Sequence, residues 1–219
     1  KGVLKRKSDR DTYENSSVNP LGPGLSVWCL TTCLNVPDVS ESTSIVRRLQ
    51  RLTKTTSTET RAGLQHLLAE TSLELSRQLE KGTIVSVESR YDHYRSSDQA
   101  VIRAERQYNR ISMRERSKFD RESWSSYNGR IVRDEVGEQA QSLAIATVAL
   151  VQIHLVMEGK SMEAYGQRKI QTRKNLRDAL IQLSSDLISV DCVLAGEVLW
   201  APQQQQDVMS EEDVYANYP

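Results

Sequence analysis

Three histidines, His66, His93 and His154, and three cysteines, Cys29, Cys33 and Cys192, are the side chains best suited to ligate a metal or to act as base and nucleophile. Their spacing offers neither. There is no His-Glu-x-x-His and no paired Cys-x-x-Cys, so metal-ligand spacing is missing. Tyr91-Asp92-His93-Tyr94 sets a carboxylate beside an imidazole, but successive strand residues point to opposite faces, so the two are not an acid–base pair by adjacency. An enzymatic reading needs His93 and His154 to converge in a cleft, which requires their strands to be neighbours. No Gly-x-Ser-x-Gly elbow and no Gly-rich phosphate loop occurs, and the ten glycines are scattered, mostly at element ends. No catalytic, cofactor-binding or metal-ligating residue is therefore assigned, no cofactor is expected, and the histidines read as structural. An odd, low cysteine count argues against a disulfide framework and for a reducing compartment. Cys29 and Cys33, on one strand, would lie roughly 13 Å apart, too far for a disulfide, and face the same way as small apolar side chains.

The firmest polar feature is a basic stripe. Arg103, Arg106, Arg110 and Arg114 recur at helical spacing and line one side of a helix over about 16 Å. Such a row can grip phosphates, lipid headgroups or an acidic protein; its bland counterpart is a solvated face, with Glu105 and Glu115 interspersed. A second cluster, Arg168, Lys169, Arg173, Lys174 and Arg177, opens a later helix, where cations oppose the helix dipole; that misfit points to an acidic partner. Arg103, Arg106, Arg110, Arg114, Arg173 and Lys174 are the expected partner-binding residues. Twenty-nine basic and 29 acidic residues cancel. Without excess charge or clear aromatic platforms, nucleic acid is disfavoured against a protein or membrane partner.

The elements that carry these residues follow from periodicity. Residues 1–24 mix charge with Pro20, Gly22, Pro23 and Gly24 and read as a flexible basic linker; Lys1, Lys5, Arg6, Lys7 and Arg10 would face anionic headgroups if a membrane were near. The chain begins at Lys1 rather than Met, so a segment upstream is expected. Residues 25–219 read as one domain. Leu25–Val36 alternates as a strand. Ile45, Leu49 and Leu52 mark a helix, capped by Ser40 or Ser42, and Thr56 with Glu59 forms a capping box for the next. Its stripe is Leu64, Leu67, Leu68, Thr71, Leu75 and Leu79, and Gly82 stops it. Thr83–Arg95 alternates with one polar face. Ser97 caps a third helix with Val101, Ala104, Tyr108 and Ile111 buried, and Ser112 with Glu115 suggests a break and restart. Lys118–Glu138 is a polar excursion. Leu143–Met157 is apolar on both faces, a buried strand or a buried helix, with alternation from Val151 favouring strand; it is too short to span a bilayer. Leu176, Ala179, Leu180, Leu183 and Leu187 mark the last long helix. Val190–Trp200 is a closing strand with Val190, Cys192, Leu194, Val198 and Trp200 on one face, followed by a glutamine loop and a short acidic helix at Ser210–Asp213. The fold class is α+β: about four strands in a small mixed or antiparallel sheet, with helices packed mainly on one face.

Three segments carry a family resemblance. Thr56-Ser-Thr-Glu-Thr-Arg-Ala-Gly-Leu-Gln-His-Leu-Leu-Ala-Glu-Thr71 with Leu73-Glu-Leu75 is one. Ile111-Ser-Met-Arg-Glu-Arg-Ser-Lys-Phe-Asp-Arg-Glu122 is another. The most specific is Glu197-Val-Leu-Trp-Ala-Pro-Gln203, followed by Ser210-Glu-Glu and Tyr218-Pro219. Together they resemble a plant, algal and cyanobacterial family of unknown biochemical activity, the one that includes the fluctuating-light-acclimation protein of chloroplasts. The resemblance covers Leu25 to Pro219 and departs from the family in the long Ser123–Glu138 and Gly159–Thr172 loops. It implies a chloroplast protein of the thylakoid or inner envelope, with its soluble domain in the stroma behind a transmembrane helix, and a role in light acclimation and proton balance. It implies no catalytic residues. The expectation is a non-enzymatic accessory or regulatory subunit docked on protein subunits of a membrane complex. An RNA- or ribosome-associated factor and an enzyme with an unrecognised pocket are the alternatives.

Overall fold

A computed structural model of the chain describes residues 19–36, 41–97, 99–134, 148–166, 169–203, 209 and 214, with side chains on its longest helix described as far as Lys118. Four strands, β1 (Leu25–Asn35), β2 (Ile84–Tyr94), β3 (Val148–Glu158) and β4 (Val193–Ala201), form one sheet in the order β2-β1-β3-β4, and every neighbouring pair is antiparallel. Helices α1 (Ile45–Thr55), α2 (Arg61–Lys81) and α4 (Arg173–Ser189) cover one face, and α3 (Ala100–Asp134) lies across the other.

The two faces follow from the period of two along each strand. On the face under α1, α2 and α4, Trp28, Leu30 and Leu34 of β1 and Val151, Ile153 and Leu155 of β3 pack against Leu49, Leu68, Leu75, Leu180 and Leu183. Trp28 is fully buried and its indole N–H donates to Ser89 Oγ at 2.9 Å. Gly196 lets α2 approach β4, since a side chain there would meet Leu68 Cδ1 at 2.8 Å. On the opposite face Leu25, Val27, Cys29 and Val156 meet Ala100, Ala104, Tyr108 and Ile111 of α3. Further along that face, Met209 and Val214 of the C-terminal segment bury against Cys33, Val148, Leu150 and Ala201.

β3 is buried on both faces, which explains why Leu143–Met157 shows no clean amphipathic period. Residues 143–147 of that expected run lie outside the described residues, as do 1–18 of the expected linker, 135–138 of the expected excursion and the expected acidic helix at Ser210–Asp213. Residues 19–24 are tied to the turn after β3: Gly159 N–H donates to Gly24 O and Lys160 N–H to Leu21 O, each at 2.8 Å.

Several expectations change. α1 is preceded by Ser44, which makes no side-chain cap, rather than by Ser40 or Ser42. α2 starts at Arg61, capped by Thr60, whose hydroxyl accepts from Gly63 N–H; the Thr56/Glu59 box lies upstream of the true cap. Gly82 ends α2 in the left-handed region, at φ 77°, as its sequence position implies. α3 does not break at Ser112 and runs on to Asp134. Val101 is 51% exposed and Ala100 takes its place in the buried stripe. In β4 a register shift opposite Val156 and Met157 interrupts the alternation, so Val193, Val198 and Trp200 join the α2/α4 side while Leu194 packs on the α3 side.

The core is unevenly sensitive to truncation. Leu155→Ala removes packing from the centre of the sheet and is expected to cost about 2–5 kcal/mol. Ile188→Ser, at a 69% exposed position, is expected to stay within roughly 0.5 kcal/mol. Urea unfolding of both variants measures the contrast.

Candidate functional site

The side chains that interrupt the apolar strands meet on the α3 face. Gln152 and His154 lie two residues apart on β3, so both point to that face, and Glu197 of β4 sits directly opposite His154. From above, α3 brings Ser112, Glu115 and Arg116, which share one side of the helix at i, i+3 and i+4. Gln152 Nε2 donates to Thr31 Oγ1 at 3.2 Å and to Glu115 Oε2 at 3.1 Å. Glu115 also pairs with Arg114 at 2.7 Å and with Lys118 at 3.1 Å. His154 Nδ1 lies 3.1 Å from Glu197 Oε1, and Arg116 grips Glu197 Oε2 through Nε at 2.7 Å and through a second guanidinium nitrogen. Gln152 and His154 are each only 1% exposed.

The electrostatics follow from these contacts. Burial pushes the Glu197 carboxyl up, but hydrogen bonds from His154, Ser112 and Arg116 outweigh it and hold the group at about 2. Burial likewise raises Glu115, and bonds from Gln152, Lys118 and Arg114 outweigh it, leaving it below the usual carboxylate range. Both carboxylates are therefore charged and paired at neutral pH. Glu115 fastens α3 to β3 through the hydrogen bond from Gln152, and Glu197 fastens β4 to α3 through its ion pair with Arg116, where the apolar seam of Ala104 and Ile111 fastens the helix to β1.

Cys29 faces His154 across the β1–β3 ladder, so Cys29, His154 and Glu197 stand in a row. Chemically the row is inert as a nucleophile system. Burial pushes the Cys29 thiol to about 12, and only a thiolate attacks. Cys29, Thr31, Arg90 and His154 border a pocket of about 10 Å³, room for about one water molecule.

His93 points to the other face. Its Nδ1 lies 3.2 Å from Ser26 Oγ and its ring stacks on Tyr91. His93 and His154 thus stand on opposite sides of the sheet, and the cleft that the enzymatic alternative required does not form, because β1 places Ser26 and Cys29 on opposite faces. His66 is exposed on α2. Cys29, Cys33 and Cys192 are all buried and form no disulfide, and no group of three metal-ligating side chains occurs among the described residues.

The expected partner-binding residues separate into two sets. Arg103, Arg106, Arg110 and Arg114 are all exposed along one flank of α3, with Arg103 donating to Gln99 Oε1 at 3.0 Å and Arg110 bonded to Gln107. Around the start of α4 the cations have internal uses. Arg173 caps α2 by donating to Leu79 O, and Arg177 pairs with Glu80. The C-terminal end of α2 supplies the negative dipole end that the start of α4 lacks, so the misfit read from the sequence is resolved within the fold. Lys174 remains exposed, and Arg168 lies outside the described residues. Sequence reasoning missed Glu197, Gln152 and Glu115. The available signal was polar residues interrupting apolar strand runs.

Residues 32–219 match a family described as a protein of unknown function, DUF1517. The chain belongs to that family. The match takes in β3, β4 and α3, and so every member of the buried network except Thr31. A 169-residue stretch is 30% identical to the chloroplastic FLUCTUATING-LIGHT-ACCLIMATION protein 1 of Arabidopsis thaliana, covering 77% of this chain and 40% of the relative. A 190-residue stretch is 26% identical to Protein FLAP1 homolog A of Synechocystis sp. (strain ATCC 27184 / PCC 6803 / Kazusa), covering 83% of this chain and 53% of the relative. The chain thus spans about half the length of these relatives or less. No solved structure matches.

Glu197 sets an acid limit on stability. Its folded value, about 2, is below the ordinary 4.5, so its contribution is present above about pH 4.5 and is lost as pH falls towards 2. That contribution is of order 3 kcal/mol at neutral pH. Glu197→Gln is expected to lower stability at pH 7 and to flatten the decline between pH 4.5 and 2, read by denaturant unfolding across that range.

Proposed function

We propose that this chain is a non-enzymatic accessory or regulatory subunit of a chloroplast membrane complex, and that the arginine flank of α3 is its docking surface. The observation that carries this is geometric: Arg103, Arg106, Arg110 and Arg114 are exposed together on a helix whose opposite side is fastened to the sheet by the Glu115 and Glu197 contacts. A row of guanidinium groups on a rigid support favours an acidic protein surface, since Arg103, Arg106 and Arg110 can each take a carboxylate bidentately while Arg114, paired with Glu115, adds its charge to the row. Lys174 contributes to contacts near the start of α4; Arg173 serves the fold. The name of the Arabidopsis relative supports a plastid setting and a part in acclimation to light. The thylakoid or inner envelope is the proposed location, with this domain on the stromal side. No helix among the described residues is long and apolar enough to cross a membrane. Attachment through partner subunits is the form proposed for this domain, on the strength of the exposed arginine flank. An un-ionised Cys29 and histidines on opposite sheet faces support a binding role over catalysis.

Cross-linking and co-purification from isolated organellar membranes test the reading. The wild-type chain is expected to co-purify with membrane-complex subunits, and Arg106→Glu with Arg110→Glu together to lose at least about tenfold of that yield, as expected for two charge reversals at a contact. Recovery only in the free stroma contradicts the proposal. So does steep, salt-dependent RNA binding that Arg110→Glu abolishes.

A further inference from the structure

β2 is an edge of the sheet, and among the described residues no backbone hydrogen bond reaches its outer side. An open edge is a template for another strand, and proteins normally block it with charge, proline or a covering element. β2 carries charge on its α3 face, but of alternating sign: Glu88, Arg90 and Asp92. Alternation blocks some pairings and favours others.

We propose that β2 pairs with β2 of a second copy of this chain, antiparallel and centred on Ser89, joining two sheets into one of eight strands. The register is selected by two constraints. Side chains of a continuous sheet must keep to their faces, so only registers that oppose like-facing residues are allowed. Of these, one centred on Arg90 sets two arginines opposite each other and Glu88 against Asp92; one centred on Glu88 opposes two glutamates. Centring on Ser89 places Glu88 against Arg90 of the second copy, twice by symmetry, and Ser86 against Asp92. On the other face it sets Val87 against Tyr91. A register centred on Tyr91 matches Arg90 to Asp92, but that carboxylate already accepts from Gln107 Nε2 at 2.8 Å, and Glu88 is left facing Tyr94. The Ser89 register also uses the regular part of the strand, Ser86–Asp92 on itself, clear of the irregularity beside Ser86 and Ile84.

The ions are free to make this exchange. Arg90 and Glu88 now pair within one strand at 2.7 Å with side chains 40% and 50% exposed, so each can swing to the second copy at small cost. The other edge is not self-complementary. β4 centres on Glu197, which would oppose itself and is already held by His154 and Arg116.

Charge reversal with mixing tests the proposal on the 219-residue chain. Sedimentation velocity over a concentration series is expected to show a monomer–dimer equilibrium. Glu88→Arg and Arg90→Glu each turn two attractive pairs into two repulsive ones and are expected to weaken dimerisation roughly ten- to a hundredfold. Mixing the two single variants in equal amounts restores opposite charges across the interface and is expected to recover a heterodimer near wild-type affinity, as is the double variant E88R/R90E with itself. Circular dichroism of each variant verifies folding. A wild-type chain that stays monomeric at every concentration overturns the proposal. A dimer indifferent to the reversals, or single variants that stay monomeric when mixed, overturns it equally.

Discussion

The contact on which the arrangement depends is the ionic and hydrogen-bonded seam between α3 and the outer half of the sheet. A face carrying Gln152, His154 and Glu197 cannot be covered by an ordinary apolar stripe, because buried polar groups left unpaired are costly. α3 supplies the complement. Ser112, Glu115 and Arg116, at i, i+3 and i+4, project together from its underside, and each finds a partner on β3 or β4. Breaking one member exposes the rest, since Arg116 without Glu197 or Gln152 without Glu115 leaves a polar group stranded. The helix is thereby held in one rotational setting, which an apolar seam of Ala104 and Ile111 alone specifies weakly.

That rotational setting decides what the protein shows to its surroundings. With Ser112, Glu115 and Arg116 turned inward, Arg103, Arg106, Arg110 and Arg114 turn outward on the opposite side of the helix. Ile102 and Met113, 55% and 73% exposed, sit on the same outward side. The opposite sheet face has a different task. It is packed mainly by aliphatic side chains of α1, α2 and α4, and its ion pairs lie within and between those helices and at their ends: buried Glu74 of α2 with Arg48 of α1 and with Arg77, Arg61 with Asp191, Arg177 with Glu80. One face of the sheet thus holds the fold together, and the other holds the helix whose outer flank is the proposed docking surface.

Much of this was legible in the residues. Four strands, their near-correct bounds, the α2 stripe ending at Gly82 and the outward arginines all follow from period and cap chemistry. The misses have physical reasons. Ser112 and Glu115 have capping-box spacing, yet i, i+3 is also the spacing of two side chains on one helix face, and a tertiary partner chose the second meaning. The β4 alternation fails at a register shift that only pairing with β3 creates. Arg173 seemed to oppose its helix dipole because the carbonyl it serves belongs to α2. Glu197, the centre of the site, lies in an apolar run where one acidic residue looks like a solvent-facing position. Its identity as a buried ion depends on His154, 43 positions away in sequence, and no local pattern carries that.

Hydrogen exchange resolved by segment tests the central claim most directly. If the Glu115 and Glu197 contacts hold α3 in place, amides of Ala104–Lys118 are protected at pH 7. As pH falls from about 4.5 towards 2, the range over which the contribution of Glu197 to stability is lost, they lose protection before those of β1 and β3 do. Loss of protection in α3 and the sheet together, at the same pH, would contradict the account.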